Sequence, residues 1–184
     1  MNRCHWVDLK EQIYIDYHDQ EWGVPVYQDS ILFEFLVLES FQAGLSWICV
    51  LKKREAFRKA MDGFDPIKIA NYKEDKIQEL LQNKNIIRSR RKIDATIQNA
   101  KIFLQIQKEW GTFSHYIWHF TKGKVIKNTK DILFTTSPLS DQISADLRKR
   151  GMKYTGSIII YSYLQAIGIV NDHESTCFLF NKSK

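Results

Sequence analysis

Hydrophobic residues recur along most of the chain at helical spacing rather than with the alternation of strands. The first strong segment begins at Asp29 or Ser30, either of which can cap a helix. Of the eight residues from Ile31 to Leu38, seven are apolar. A helix that is apolar nearly all round belongs inside a protein, so we expect this one at the centre of the core.

The same pattern predicts an all-α fold. Asp65 followed by Pro66 is typical of a helix start, and Gly151 of a helix end. The further predicted helices are Ser46 to Met61, Pro66 to Ala70, one through Ile77 and Leu81, Ser89 through Ile106, Thr112 to Phe120, Ser140 to Arg150, and Ser157 to Ile167. Residues 122–137 read as an irregular connection.

Two of these segments need a further argument. The segment 157–167 is rich in β-branched residues and fits a strand, but its length and helical neighbours favour a buried helix. Residues 83–87 form a short break between two helices, which predicts a helix, a tight hairpin and a helix. Arg88, Arg90 and Arg91 follow that hairpin, so free N–H groups and cationic side chains suited to DNA phosphates come together there. An ordinary helix pair has the same pattern.

Length and composition predict one soluble unit. The 184 residues suffice for a single domain spanning 1–184, or for two helical lobes sharing a cleft. Three cysteines cannot all pair, which favours a reducing compartment, and neither a signal core nor a membrane-length apolar run is present. We therefore expect a cytoplasmic protein, a monomer, with no membrane partner.

The charge balance favours a polyanionic partner. Lys and Arg outnumber Asp and Glu by 27 to 21, and the formal net charge is +6. Basic residues cluster at 52–54, 88–92 and 148–153. Each cluster taken alone is better explained as the solvated face of a helix.

Two Cys/His pairs lie near opposite ends of the chain. His173 and Cys177 are four residues apart, so a helix or tight turn points them the same way. Cys4 and His18 are further apart and fit a loop-borne pair. Together they make a Cys2His2 set that can hold one tetrahedral zinc, although the spacing is not that of a zinc finger. Spacing alone leaves unrelated buried thiols and surface histidines as an equal alternative.

Glu39 is the most conspicuous candidate for chemistry. It directly follows the apolar run, and burying a carboxylate without partners is costly. The simpler interpretation is that the helix end reaches solvent. Five aromatic residues lie in the same part of the sequence, namely Trp6, Tyr14, Tyr17, Trp22 and Trp47. They can be ordinary core residues, but flat rings beside a buried carboxylate also suit a purine, whose faces stack and whose exocyclic amine donates to the acid.

These segments together resemble the bacterial DNA-3-methyladenine glycosylase I family over nearly the whole chain. The carrying residues are Arg3, Cys4 and Trp6; Tyr17, His18, Asp19 and Glu21 to Pro25; Leu38, Glu39 and Gln42 to Trp47; Ile86 to Arg88 and Arg90; and Val170 to His173 with Cys177. The resemblance implies a helix-hairpin-helix glycosylase fold, a structural zinc joining the terminal segments, and excision of 3-methyladenine from alkylated double-stranded DNA, with the free base as product.

The resemblance also assigns roles. Glu39 is expected as the catalytic residue and reader of the adenine edge, and Trp47 as the stacking ring. Tyr14, Tyr17, Trp6, Trp22 and Ser162 complete the expected base pocket. Gly44 and Leu45 are expected to fill the gap left by the extruded nucleotide, with Ile86, Arg88, Arg90 and Arg91 on the DNA. The metal ligands are Cys4, His18, His173 and Cys177.

The sequence departs from the family pattern in a few places. Asn85 stands where glycine is usual, and asparagine tolerates the left-handed backbone conformation better than most residues. Ser89 replaces a histidine and Ile169 a leucine. The catalytic aspartate of the wider superfamily has no counterpart, and Asp172 is not given that role.

Two rival hypotheses are a non-catalytic DNA-binding module, indifferent to methylation, and a zinc hydrolase, which needs an open coordination position on its ion.

Overall fold

A computed structural model of the protein describes residues 1–129 and 134–181. Ten α-helices account for most of it: α1 Gln12–Gln20, α2 Asp29–Gln42, α3 Trp47–Leu51, α4 Arg54–Ala60, α5 Pro66–Ala70, α6 Glu74–Gln82, α7 Arg90–Trp110, α8 Phe113–His119, α9 Pro138–Lys149 and α10 Ser157–Ala166. The predicted helical fold is confirmed. In the described part of the chain the only strands are β1 Ile126–Lys127 and β2 Val170–Asn171, which pair in parallel.

Helix α2 is the centre of the core, as its composition predicts. Its residues from Leu32 to Phe41 are all buried, and it contacts α3, α7, α8 and α10. Asp29 does not cap α2, however. Its carboxylate accepts hydrogen bonds from the backbone N–H groups of Phe113 and Ser114 at 2.8 Å each, so it caps the start of α8 instead. The first residue of α2 thereby anchors a helix from the second half of the chain.

Several predicted boundaries hold. Asp65 caps α5, accepting from the Ile67 and Lys68 N–H groups, and Gly151 ends α9 with φ +99°. The segment from Ser157 is a helix, not a strand: α10 packs against α2 and α9, and this tertiary packing outweighs its β-branched composition. The helix predicted from Ser46 to Met61 is instead two helices, α3 and α4. Between them the Lys53 N–H donates a hydrogen bond to the Val50 carbonyl, three residues back, which makes a tight 3-10 type turn and ends α3.

Two regions differ from the sequence-based expectation. Helix α1 was not predicted, because it buries only Tyr17 and His18 and its hydrophobic stripe is weak. The connection expected at 122–137 contains β1, and residues 130–133 of it lie outside the described residues.

The described residues contain no helix that is both long and apolar enough to cross a lipid bilayer.

Candidate functional site

All seven residues predicted for the base pocket line one cavity of 300 Å³. They are Trp6, Tyr14, Tyr17, Trp22, Glu39, Trp47 and Ser162. Helix α1 supplies the two tyrosines, α2 the glutamate, α3 the tryptophan at its first position, and α10 the serine. The fold therefore brings the seven residues to one cavity, and their roles in holding a base stay a prediction.

Unpaired polar atoms surround this cavity. Oε2 of Glu39 and the indole nitrogens of Trp6 and Trp47 are buried and have no hydrogen-bond partner among the described residues. An orphaned buried polar group costs roughly 1–3 kcal/mol, and three around one cavity are unusual. A ligand or water in the cavity could supply partners for such groups.

Glu39 is buried, with 3% of its surface exposed, so the interpretation of a solvated helix end is wrong. Burial raises the pKa of its carboxyl group from 4.5 to about 8. At neutral pH the isolated acid is therefore mostly protonated. A strongly shifted acid in a cavity is a frequent mark of a functional site.

The aromatic rings that line the cavity with Glu39 contact one another. Trp6 meets Tyr14 edge to face at 5.2 Å and Trp22 at 5.0 Å, and Tyr17 lies 5.4 Å from Trp47. Burial raises the pKa of Tyr14 and Tyr17, and the charge of Glu39 raises both further. Both phenol groups are therefore neutral at physiological pH, so their hydroxyl groups can form hydrogen bonds but carry no charge.

The four predicted metal ligands also come together. Cys4, His18, His173 and Cys177 are all buried, and their ligand atoms lie within 4.8 Å of one another. Contrary to the loop-borne pair expected, His18 belongs to α1, while Cys4, His173 and Cys177 lie outside the helices. The alternative of unrelated thiols and surface histidines is thus wrong, and the group could hold a metal ion.

The distances within this group suit a tetrahedral ion. The Cys4 Sγ and Cys177 Sγ atoms lie 3.5 and 3.6 Å from Nδ1 of His173, and Cys177 Sγ lies 3.5 Å from Nε2 of His18. Bond lengths of about 2.3 Å to sulfur and about 2.0 Å to nitrogen place tetrahedral S and N ligands roughly 3.6 Å apart. Burial raises the pKa of Cys4 to about 12 and lowers that of His173 to about 4. The Cys4 thiol therefore needs a neighbouring cation to ionise, whereas the neutral imidazole of His173 is ready to coordinate.

Supporting contacts orient these ligands. Nδ1 of His18 lies 2.8 Å from Oδ1 of Asp19, and Arg3 holds that carboxylate from its Nε and Nη2 atoms. A carboxylate behind a histidine is the usual outer partner of a metal ligand. Gly23 approaches His173 so closely that a Cβ would lie 3.0 Å from Nε2, which accounts for glycine beside Trp22. The His173 ring also meets Trp22 at 4.7 Å, so the ligand group and the pocket wall share a boundary.

The predicted DNA residues fall into two groups. Leu45 is 38% exposed on the turn that follows α2, and Arg88 and Arg91 are exposed. Ile86 is buried, so its side chain does not reach the surface. Arg90 is already paired with Glu74 at 2.7 Å and with Asp94 at 3.1 Å, which leaves its guanidinium less free for a phosphate than the prediction assumed.

The hairpin between α6 and α7 differs from one expectation. Asn85 does not adopt a left-handed backbone, since the described non-glycine residues with positive φ are Asp62, Phe64, Lys122 and Tyr154. Its carbonyl instead accepts from Nζ of Lys53 at 3.1 Å. The hairpin therefore turns without the glycine-like conformation.

Sequence reasoning missed four further residues of the cavity: Gln42, Phe134, Thr135 and Gln165. Gln165 could have been found, because it follows Ser162 by one helical turn and shares its face. Its Nε2 donates to Oδ2 of Asp172 at 2.6 Å, and the Tyr161 hydroxyl donates to the same oxygen at 2.6 Å. Asp172 is thus held behind the cavity wall and does not line the cavity, which agrees with its exclusion as a catalytic acid.

An aromatic cavity backed by a buried acid, in a helical fold, defines a class of base-recognising proteins. The sequence model of the methyladenine glycosylase family matches residues 6–180. A DNA-3-methyladenine glycosylase 1 from Escherichia coli (strain K12) is 43% identical over 187 aligned positions, covering 100% of both chains. The chain belongs to the methyladenine glycosylase family.

Solved structures agree with this assignment. A 3-methyladenine DNA glycosylase I from Staphylococcus aureus is 34% identical, covers 100% of this chain and 99% of its own, and superposes with a TM-score of 0.94. A tyrosine-to-phenylalanine variant of another 3-methyladenine DNA glycosylase I, solved in complex with 3-methyladenine, is 35% identical over 96% of each chain, with a TM-score of 0.90.

Proposed function

We propose that this protein is a DNA glycosylase of base-excision repair that releases 3-methyladenine from alkylated duplex DNA and leaves an abasic site. The observation that carries the proposal is the cavity in which Glu39, buried and unpaired at Oε2, faces aromatic rings. The damaged nucleotide is extruded from the helix into this cavity, because its glycosidic bond is inaccessible within the base stack.

Recognition of the lesion follows from its charge. Methylation at N3 makes the adenine of the nucleotide cationic, and aromatic faces attract a cation by about 0.5–2 kcal/mol more than a neutral group. Trp47 is assigned as the stacking ring, and Tyr14, Tyr17, Trp6 and Trp22 as the walls. Ser162 supplies a polar group at the side. An undamaged, neutral adenine gains none of the charge-dependent attraction.

Glu39 reads the base through its charge as well as through hydrogen bonding. With a pKa of about 8, Glu39 ionises at a cost of roughly 1.4 kcal/mol at pH 7. A cationic purine repays that cost by Coulomb attraction in a dry site, whereas a neutral purine cannot. Entry of the lesion is thus coupled to loss of a proton from Glu39.

Bond cleavage needs little help from an acid. When the bond between C1′ and N9 breaks, its electron pair moves to the base and neutralises the positive charge, so the product leaves as a neutral purine. The sugar is left as an oxocarbenium-like cation, which DNA phosphates stabilise. Water adds at C1′ and loses a proton to solvent. The Glu39 carboxylate loses its cationic partner in the same step, which favours release of the base.

The Cys2His2 group is proposed to hold a structural Zn²⁺ on Cys4, His18, His173 and Cys177. The ion would supply the charge that keeps both thiols ionised, and it would join the two ends of the chain. With four protein ligands the ion has no open position, which disfavours the zinc-hydrolase alternative. Because α1 carries His18 together with Tyr14 and Tyr17, the ligand group also fixes the aromatic wall.

DNA binding is assigned to two places. The α6 and α7 pair with its hairpin at 83–89 is proposed as the helix-hairpin-helix element, where Arg88, Arg91 and the backbone near Ile86 meet phosphates. Arg90 contributes only if it leaves Glu74. Gly44 and Leu45 are proposed to fill the gap in the duplex, since an apolar wedge lowers the cost of an extruded base.

The experiment measures free 3-methyladenine released from methylated duplex DNA. Glu39→Gln should lower release by about tenfold or more, the effect of losing one charged hydrogen bond in a dry site. The matched control is Glu79→Gln, on the exposed face of α6, which should match wild type. Full activity of Glu39→Gln would reject the pocket. Equal binding of methylated and unmodified duplex with no base release would favour the non-catalytic DNA-binding module.

A further inference from the structure

Helix α2 ends in a tight turn that carries the proposed wedge residue Leu45. The Leu45 N–H donates to the Gln42 carbonyl at 2.7 Å, Ala43 has φ −48° and ψ 114°, and Gly44 has φ +79°. These angles are those of a type II turn, in which glycine is favoured at the third position. Type I and type II turns differ by a flip of the central peptide, here the one whose carbonyl oxygen belongs to Ala43.

One side chain from a distant element reaches that flipped peptide. Nζ of Lys92, on the first turn of α7, donates to the Ala43 carbonyl at 2.6 Å and to the Phe41 carbonyl at 2.8 Å. Both carbonyls lie at the end of α2, where helix oxygens lack intrahelical partners and the dipole favours a cation. In the described part of the chain no carboxylate pairs with Lys92.

The Lys92 ammonium group is well placed to discriminate between the two turn conformations. The hydrogen bond to Ala43 exists only when the central peptide points its oxygen toward α7, which is the type II orientation. The bond to Phe41 holds the ammonium in place independently of that peptide. Lys92 is partly buried, and desolvation lowers its pKa, so water competes poorly for its donors.

We propose that Lys92 is a positioning residue that locks the turn at 42–45 in its type II form and so presents Leu45 to the gap in the duplex. The lock also joins the two proposed DNA elements, because Lys92 follows the hairpin arginines directly. The inference rests on the proposed function, since it assigns a task to the wedge. It adds that the wedge is held by α7 rather than by its own turn alone.

The test compares Lys92→Met with two controls. Lys92→Arg keeps the charge and the donors, and Lys101→Met removes one exposed charge from the same helix. Lys92→Met should lower single-turnover release from methylated duplex by about tenfold, the usual consequence of losing charged hydrogen bonds. Lys92→Arg should recover most of the activity, and Lys101→Met should match wild type. Affinity for free 3-methyladenine should change less than about twofold in every variant, because Gln42 is the one turn residue that lines the cavity and it precedes the peptide that Lys92 holds.

A second variant separates positioning from a merely structural role. Gly44→Ala has open space around its Cβ but must adopt φ +79°, so it disfavours the same type II turn. If both residues act on one turn, the double variant should be little slower than Lys92→Met alone. Additive losses in the double variant would overturn the proposal, as would weakened binding of free 3-methyladenine by Lys92→Met. It would also be overturned if Lys92→Met released the base from methylated duplex as fast as wild type. Inactivity of the wild-type protein on methylated DNA would instead reject the proposed function.

Discussion

Replacing Glu39 by glutamine should make the protein more stable while making it a poorer enzyme. Folding transfers the Glu39 carboxyl group from water, where its pKa is 4.5, to a site where burial raises the pKa to about 8. The chain must therefore take up a proton at neutral pH when it folds. Glutamine is neutral in both states and has the same shape, so the variant avoids that cost.

The size of the effect depends on pH in a defined direction. Raising the pKa of this acid on folding does not lower the free energy of unfolding below about pH 4.5. The loss of stability grows as pH rises from there to 8 and is constant above. The shift corresponds to roughly 3 kcal/mol at pH 7, to roughly 5 kcal/mol above pH 8, and to less than about 1 kcal/mol at pH 5. The stability advantage of Glu39→Gln over wild type should follow this curve.

The assay is denaturant unfolding of both proteins at pH 5, 7 and 8.5, compared as differences in free energy of unfolding. The matched control is Glu34→Gln, a second buried glutamate of α2. Oε1 of Glu34 accepts from Arg54 at 2.6 Å and from Arg58 at 2.5 Å. The variant removes the carboxylate that these two cations share and leaves them only Glu21 and Glu55, so it should be less stable than wild type. A Glu39→Gln advantage that does not grow between pH 5 and 8.5 would refute the reasoning.

Three further predictions concern the metal group, the backbone and the substrate. Cys177→Ser should lose bound zinc, measured per chain by elemental analysis, and should melt at a lower temperature than wild type. The control Cys49→Ser should keep the zinc content and melting temperature of wild type. Unchanged zinc in Cys177→Ser would show that the ligand set is wrong. Gly168→Ala should lower the free energy of unfolding by more than about 3 kcal/mol in denaturant unfolding, because its Cβ would lie 2.2 Å from the Val24 carbonyl carbon. The control Gly123→Ala has a similar φ but open space around its Cβ, so it should lower that free energy by only about 1 kcal/mol. The affinity for methylated duplex should rise with pH up to about 8 and then level off, as Glu39 ionises more readily; a flat profile in binding titrations would contradict the coupling to its proton.

The helices were predictable where one strong signal determines them. The apolar run of α2, Asp65 before Pro66 and Gly151 after α9 each act within a few residues, so the sequence contains the whole cause. Helix α1 was missed because its stability comes from long-range contacts of Tyr17 and His18. Asp29 illustrates the same limit: it is a suitable cap by composition, but the helix it caps lies elsewhere in the chain.

For the candidate site, residue types could be predicted but not their surroundings. Glu39 and the nearby aromatic residues are visible in the sequence, and the family resemblance unites them. Neither source tells that Oε2 of Glu39 is unpaired, that Arg90 is engaged by Glu74, or that Thr135 lines the cavity. These facts depend on contacts between residues far apart in the chain, which local patterns do not encode.

The separation of the Cys/His ligands along the chain has a consequence for the order of folding. Cys4 and His173 are 169 residues apart in sequence, and Cys177 and His18 are 159 apart. Bringing such distant segments together carries a loop-closure entropy that local helical turns do not face. We therefore expect helices such as α2 and α7 to form early and the Cys/His group to assemble late.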